Sequence, residues 1–511
     1  MRILLVGIYD KNTISLAPQI LSSYVRQFPV AAEHEIDTRD FSIFSDSVAS
    51  IAESIRDYNP DLVSFSCYIW NYNLISQIVP QLGCTVVLGG PQVTGIEKEI
   101  LEQNPGIDII VTGEGERTFL DLLNHFSGQK PLADIAGITT TELQNPPQEP
   151  VDLVTVPPLF ARALSGKEEV TWVSFETSRG CPTGCGYCTW GYSRKMRYYP
   201  LEHVFSELDV ILKNPRIREI YLCDSSLLLN KKRGKAILDH IIRSGSDQTI
   251  RYEFSPEQLD DGIIQRMTQL PSNEFNFGIQ TINPPALAHI GRPFHRGRFE
   301  ASYQQFIEAF PAAQITVDLI YGLPGDDIAG YLQSMNYAMA LPGVSRILTN
   351  PLIVLPGSRF FRDRDSLGIV LADDGSYLLR ENFSFTASQM LDARRYSFYL
   401  NLLYLNTALK DALLRLADET GTQPAHCMID FFETLPFELA QDYPYTIPSV
   451  KEDFERRNRI FAAVLAKFRR IIDAFKEYSG GRYDSSLASY AETFTPQANK
   501  YLSYAAEAQE Q

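Results

Sequence analysis

Short apolar runs alternate with amphipathic stretches over the first three quarters of the chain, and the pattern turns helical beyond about residue 385. Near the amino terminus the runs fall at residues 2–8, 61–68, 84–91 and 107–116, and each ends in small or polar residues. An amphipathic segment near residues 15–27 follows the first run, and Asn59-Pro60 signals a turn before the second. Apolar runs separated by helical stretches predict a doubly wound parallel sheet over residues 1–140. Ligands of such sheets sit outside the carboxyl ends of the strands. Any one glycine there reads most simply as a turn, but several such loops on one edge suggest a broad, shallow ligand site. No glycine-rich dinucleotide fingerprint follows the first run, which disfavours a nicotinamide or flavin dinucleotide.

A proline-rich linker, with Asn145-Pro-Pro-Gln-Glu-Pro and Val156-Pro-Pro, covers residues 140–160. Six further runs follow, at 171–176, 218–223, 250–254, 274–280, 315–321 and 345–354, with helix-like stretches between them. They predict six βα units across residues 160–380. Residues 381–511 read as a helical domain. There, 393–416 carry apolar positions at i, i+3, i+4 spacing until Glu419-Thr-Gly, and 451–477 read as a long charged amphipathic helix ending before Gly480-Gly481. The aromatics Phe431, Phe432, Phe437, Tyr443 and Tyr445 suit a cap that shapes a substrate pocket, or a dimer surface. The tail after Tyr501 is expected to fray.

With 511 residues the chain has room for two or three cores, and its formal charge of -16 argues against a nucleic-acid surface. No stretch approaches the roughly 18 uninterrupted apolar residues of a membrane span. The start lacks the features of a signal peptide, so a cytoplasmic protein is expected. Seven cysteines, three of them clustered, do not look like a disulfide framework. The three are Cys181, Cys185 and Cys188, in Glu176-Thr-Ser-Arg-Gly-Cys-Pro-Thr-Gly-Cys-Gly-Tyr-Cys. Three close thiolates suit three corners of a four-iron cube and leave the fourth iron open. Structural zinc wants four ligands, and no matching pair lies nearby. Zinc and a disulfide are the bland alternatives.

The triplet, with Tyr187 before its third cysteine, resembles the signature of the radical S-adenosylmethionine (SAM) enzymes. The resemblance implies a [4Fe–4S] cluster whose open iron chelates SAM, cleavage of SAM to a 5′-deoxyadenosyl radical, and a partial TIM barrel, (β/α)6, for residues 160–380. It places SAM at strand ends, on Tyr187, Asp224, Ser225, Glu253, Ser255, Gln280 and Gly322. Each of these taken singly also reads as a satisfied turn. Residues 1–135 resemble the Rossmann-like cobalamin-binding domain that precedes this module in the cobalamin-dependent radical SAM class. The matching pieces are Asp61-Leu-Val-Ser-Phe-Ser, Val87-Leu-Gly-Gly-Pro and Val111-Thr-Gly-Glu-Gly-Glu. The implied cobalamin contacts are Tyr9, Asp10, Ser66, Tyr68, Gly89, Gly90, Gly113 and Glu114. The histidine that coordinates cobalt in many such domains has no counterpart in residues 9–15, so a cobalamin here would carry no histidine on its lower face. A cobalamin-free relic is the other reading of that loop.

Within this class the resemblance implies a methyltransferase acting on an unactivated carbon of a small-molecule or peptide substrate, served by an electron donor such as flavodoxin or ferredoxin. No catalytic side chain is singled out. The alternatives are a non-methylating rearrangement or cyclisation, a cobalamin methylase without radical cleavage of SAM, and a non-enzymatic iron–sulfur sensor. Asp318, inside an apolar run, needs a partner, for which Arg292 and Arg296 are candidates. Cys223, at a strand end, reads as an inert buried thiol or as a hydrogen-atom donor. Trp70 and Trp190, beside the two cofactor loops, read as packing residues or as ligand platforms.

Overall fold

The structure, a computed structural model, describes residues 1–190, 193–272, 274–435, 468–483 and 487. It divides into two compact units, Met1–Asn273 with Leu355–Arg362, and Glu274–Val354 with Asp363–Gln511.

The first unit opens with a sheet of six strands: β1 (Arg2–Tyr9), β2 (Glu35–Ser42), β3 (Leu62–Ser66), β4 (Thr85–Gly89), β5 (Ile109–Val111) and β6 (Ile138–Thr139). Their order is β2-β1-β3-β4-β5-β6, and every pair is parallel except β5 with β6. The order reverses between β1 and β3, which makes that point the topological switch of a doubly wound sheet. Helices α1 (Leu16–Val25), α2 (Val48–Tyr58), α3 (Tyr72–Ile78), α4 (Glu97–Gln103) and α5 (Gly115–Phe126) lie in the connections. Leu4, Val6, Val63, Phe65, Val86, Leu88 and Ile110 of the strands share one buried core with Ile51, Ile55, Ile75 and Ile78 of α2 and α3. Strands covered on both faces read as continuous apolar runs, which is why β1, β3, β4 and β5 are visible in the sequence. The sequence pattern does not announce β2. Its residues Glu-Ile-Asp-Thr-Arg-Asp-Phe-Ser carry charge at an edge, where charged side chains discourage pairing with another chain.

The same unit continues with β7 (Trp172–Phe175), the short β8 (Ser178–Arg179) and β9 (Arg197–Tyr198), then β10 (Glu219–Leu222) and β11 (Thr249–Tyr252). Strands β11-β10-β7 form a parallel sheet. In the second unit, β12 (Glu274–Gln280), β13 (Gln314–Tyr321) and β14 (Val344–Pro351) form another. All six predicted runs are strands.

Beyond them the chain is mainly helical, over Ala387–Tyr404, Thr407–Thr420, Pro424–Thr434 and Phe468–Tyr478. The single apolar-periodic stretch expected over 393–416 is two helices. Asn406, fully buried, caps the second by accepting a hydrogen bond from the Leu409 N–H (3.0 Å). An asparagine side chain there satisfies a helix start instead of continuing the first helix. Residues 451–467, Phe437, Tyr443, Tyr445 and the tail after Tyr501 lie outside the described residues. Among the described residues no helix is long and apolar enough to cross a membrane.

Candidate functional site

The cysteine loop leaves from the end of β8. The Cys181 N–H donates to the Ser193 carbonyl (3.0 Å), closing the loop at its base, and the Cys188 N–H donates to the Cys185 carbonyl (3.0 Å) in a tight turn around Tyr187. The Trp190 N–H points at Cys188 Sγ (3.4 Å), the kind of hydrogen bond to sulfur that tunes a thiolate-bound cluster. Cys185 is buried, Cys181 and Cys188 are half-buried, and none of the seven cysteines forms a disulfide. Cys185 and Cys188 line a cavity of about 170 Å³, and Cys181 is not on its wall. Among the described residues no three His, Cys, Asp or Glu side chains converge as ligands of a single ion. Soft thiolates spaced along one short loop are a donor set that fits an iron–sulfur cluster.

Asp224 follows β10 and is 1% exposed. Its carboxylate accepts four hydrogen bonds, from the N–H and hydroxyl of Thr177 (2.9 and 2.7 Å) and from the N–H and hydroxyl of Ser178 (2.5 and 2.7 Å). Burial pushes its pKa up, and the four donors pull the other way. The Ser225 hydroxyl donates to the Gly180 carbonyl (2.7 Å). Both residues are therefore tied to the segment that enters the cysteine loop, and Asp224 acts as its brace. Asp224→Ala should strand up to four donors at about 1–3 kcal/mol for each one left unpaired. Lower stability in denaturant unfolding and weaker iron retention are the expected outcomes.

Glu253 accepts a hydrogen bond from the Tyr221 hydroxyl (3.3 Å), and the Ser255 N–H donates to Gln258 Oε1 (3.0 Å). In the second unit, Gln280 ends β12 with φ +70°, at a register slip against β13. A non-glycine residue held in the left-handed region costs about 1–3 kcal/mol, and such strain gathers at functional sites. Gly322 has φ +85°, a left-handed conformation that favours glycine, and a Cβ there would lie 2.8 Å from both Leu379 Cδ2 and Met390 Sδ. Asp318 accepts a hydrogen bond from Asn276 Nδ2 (2.8 Å), and Arg296 pairs with Glu300 (2.7 Å).

A larger cavity, about 400 Å³, lies in the first unit at the carboxyl edge of the six-stranded sheet. Ser66, Tyr68, Gly89, Gly90, Gly113 and Glu114 are on its wall. Tyr9 and Asp10 are not. The Tyr9 ring packs against Trp70 (5.7 Å) and Trp172 (6.0 Å), and Asp10 accepts hydrogen bonds from the Asn12 N–H (3.1 Å) and Trp172 Nε1 (3.4 Å). Trp70 stacks on Tyr68 at 4.3 Å. Leu5, Ile20, Leu21, Val87, Val111 and Phe119 supply an apolar slot between the sheet, α1 and α5. An apolar slot fringed by glycines and polar strand ends fits a ligand with a flat apolar body and amide side chains, which is the chemistry of a corrinoid. Thr189, Trp190 and Ser193 from the cysteine loop line the same cavity, as does Cys223. Burial first, then the charges of Glu176 and Asp224, push the Cys223 thiol well above its ordinary pKa.

Between the sheet edge and the loop runs an ion network. Arg179, two residues before Cys181, meets Glu116 (2.7 Å), Glu176 (2.6 Å) and Glu114 (3.3 Å). Arg197 pairs with Glu114, whose carboxylate also accepts the Val151 N–H (3.0 Å). The Tyr199 hydroxyl donates to Glu176 (2.5 Å). Burial alone would lower the Arg179 pKa, but the Glu176 and Glu116 carboxylates outweigh it and hold the guanidinium well above its ordinary value. Burial and the Glu176 charge likewise keep Tyr199 protonated. Nothing in the sequence marks Glu116, Glu176, Arg179 or Arg197 as partners. The nearest hint is that Glu116 shares the Gly113-Glu-Gly-Glu run with Glu114, and Arg179 abuts the triplet.

Residues 17–123 match the family model described as the B12 binding domain, and residues 175–338 match that of the Radical SAM superfamily. This is a cobalamin-binding radical SAM protein. The cofactors of its two domains are cobalamin for the first, and SAM with a [4Fe–4S] cluster for the second. Among relatives of this radical SAM protein is an uncharacterized methyltransferase of Pyrococcus horikoshii, 28% identical over 53% of this chain and 62% of its own. Another is the 2-(S-pantetheinyl)-carbapenam-3-carboxylate methyltransferase of Streptantibioticus cattleyicolor, 25% identical over 51% of this chain and 41% of its own. The chain thus spans about half the length of these curated relatives. The fold is that of OxsB, a cobalamin-dependent SAM radical enzyme solved with aqua-cobalamin and SAM bound. The two are 14% identical with a TM-score of 0.64, covering 98% of this chain and 83% of that one.

Proposed function

We propose that this protein is a methyltransferase that places a methyl group on an unactivated carbon of a small-molecule or peptide substrate. One observation carries the reading. A single cavity in the first unit is walled both by the carboxyl edge of the B12-binding sheet and by the cysteine loop. In this reading a methyl carrier held at that edge lies beside SAM at the cysteine loop, and both curated relatives described above are methyltransferases. Cobalamin supplies methyl carriage, and SAM at a cluster supplies a radical able to activate an inert C–H bond.

The chain's residues do the positioning. Cys181, Cys185 and Cys188 hold the cluster. Asp224 and Ser225 fix the entry to their loop through Thr177, Ser178 and Gly180. Tyr187, Glu253 and Ser255 border SAM. Ser66, Tyr68, Gly89, Gly90, Gly113 and Glu114 border cobalamin. Arg179 locks the loop to α5 through Glu116. In this reading the domains are 1–140 for cobalamin, 160–380 for radical SAM and 381–511 for a helical part. A low-potential electron donor and a reducing, cytoplasmic setting follow from the cluster. Reduced holoprotein given SAM should form S-adenosylhomocysteine, the coproduct of methyl transfer, as well as 5′-deoxyadenosine, both read by liquid chromatography. Release of 5′-deoxyadenosine with no S-adenosylhomocysteine would contradict methyl transfer and favour a rearrangement or cyclisation.

A further inference from the structure

Four aromatic rings in the first unit form a continuous file. Tyr68, on the wall of the larger cavity, stacks on Trp70 at 4.3 Å with 8° between the planes. Trp70 meets Tyr9 at 5.7 Å, and Tyr9 meets Trp172 edge-on at 6.0 Å. The chain has three tryptophans, and two of them stand in this file. The third, Trp190, lines the cavity itself. The file is polarised. Its inner end is on the cavity wall, and its outer part reaches water, since Tyr9 is 40% exposed at the end of β1. There Trp172 Nε1 donates to the Asp10 carboxylate (3.4 Å). Between the ends, Trp70 Nε1 is buried and meets no acceptor among the described residues. Packing accounts for rings in contact. It does not account for an inner N–H without an acceptor, which costs stability, behind an outer N–H held by a carboxylate.

We propose that this file is an exit for oxidising equivalents, carrying a stray radical from the cavity to the protein surface, where a soluble thiol quenches it. The inference goes beyond methyl transfer and rests on the cavity's holding a corrinoid. A carbon radical that misses its target takes a hydrogen atom from the Tyr68 hydroxyl, whose O–H bond is weaker than an alkyl C–H bond. The Tyr68 phenoxyl then gains an electron from Trp70 and a proton from water. Oxidised Trp70 has no acceptor for its proton, so the charge does not settle there, and an electron follows from Tyr9. Tyr9 releases its proton to water. Trp172, with Asp10 against its N–H, shares the oxidised state with Tyr9. A thiol in solution returns one hydrogen atom to Tyr9, and its sulfur radical pairs as a disulfide. In net terms one hydrogen atom has moved from the thiol to the stray radical. Cys223, on the same cavity wall, is the competing place for a radical to land.

The test uses the full chain, kept anaerobic and loaded with methylcobalamin as the probe. Light breaks the probe's cobalt–carbon bond and frees a methyl radical inside the protein, without calling on the cluster or SAM. A nitroso spin trap in the solvent, followed by peptide mass spectrometry, reports where the unpaired electron surfaces. Electron paramagnetic resonance of frozen samples reports how long a tyrosyl signal lasts. Corrinoid absorbance before illumination normalises each variant to the probe it holds. The parent should carry the trap on Tyr9 or Trp172. Trp70→Phe keeps a ring in the stack, but one that a phenoxyl radical does not oxidise. It should lose the adducts at Tyr9 and Trp172, and its tyrosyl signal, confined to Tyr68, should outlast the parent's. Tyr9→Phe should leave Trp172 unmarked as well. Tyr68→Phe should abolish both the adducts and the tyrosyl signal. Unchanged trapping at Tyr9 in the Trp70→Phe protein would overturn the proposal, because Tyr9 would then be oxidised without the file. So would a parent that carries the trap on Cys223 and none on Tyr9 or Trp172.

Discussion

Cys185→Ala is expected to abolish both iron retention and SAM cleavage. Cys185 is the middle cysteine of the triplet, buried on the wall of the small cavity, and its carbonyl is the acceptor that shapes the turn to Cys188. Removing its sulfur leaves two thiolates for a cluster that needs three protein ligands, and the other cysteine on that cavity wall, Cys188, is already one of them. Iron analysis and the visible absorption spectrum after anaerobic reconstitution read the outcome. Cys427→Ala, a change at a buried thiol in the second unit, should keep the parent's iron content. Full iron in the Cys185 variant would remove the cluster from this loop.

Arg179→Ala should have the next largest effect, on stability and on cobalamin retention together. Its side chain is 13% exposed and that of Glu116 is 4% exposed, so the pair is nearly out of water. Removing one member of a buried ion pair leaves an uncompensated charge, at about 3–5 kcal/mol. Here the loss falls on Glu116 and Glu176 at once, and it unties the cysteine loop from α5. Arg179→Lys keeps the charge but not the planar fork that reaches several carboxylates, so it should recover only part of the loss. Denaturant unfolding and corrinoid binding by absorbance measure both effects. An Arg179→Ala protein with the parent's stability and corrinoid affinity would show that the network is idle.

The contrast between these two positions shows what a sequence carries. The cysteines are legible because a cluster needs its ligands at short, fixed spacing. The strands are legible because burial on both faces makes a continuous apolar run, as in β1, or burial on one face makes an alternating one, as in β13. Partners that meet only through the fold leave no such mark. Glu116 and Arg179 come from different domains, and a charged residue follows no apolar period. The return of Phe360 to Gly186 is likewise invisible in the sequence, since the two positions lie far apart along the chain. Asp224 illustrates a third case. A carboxylate at a strand end suggests a ligand contact, and its four donors on Thr177 and Ser178 are a bracing role that the sequence does not announce. The edge strand β2 is hidden for the reason that protects it, its charged residues.

The most direct measurement is metal analysis of the anaerobically reconstituted chain, combined with electron paramagnetic resonance of the reduced sample before and after SAM is added. About four irons and one corrinoid per chain are expected, with a cluster signal that shifts when SAM occupies the open iron. Protein that holds zinc or no iron, or a cluster signal indifferent to SAM, would contradict the central claim that these three cysteines leave one corner free.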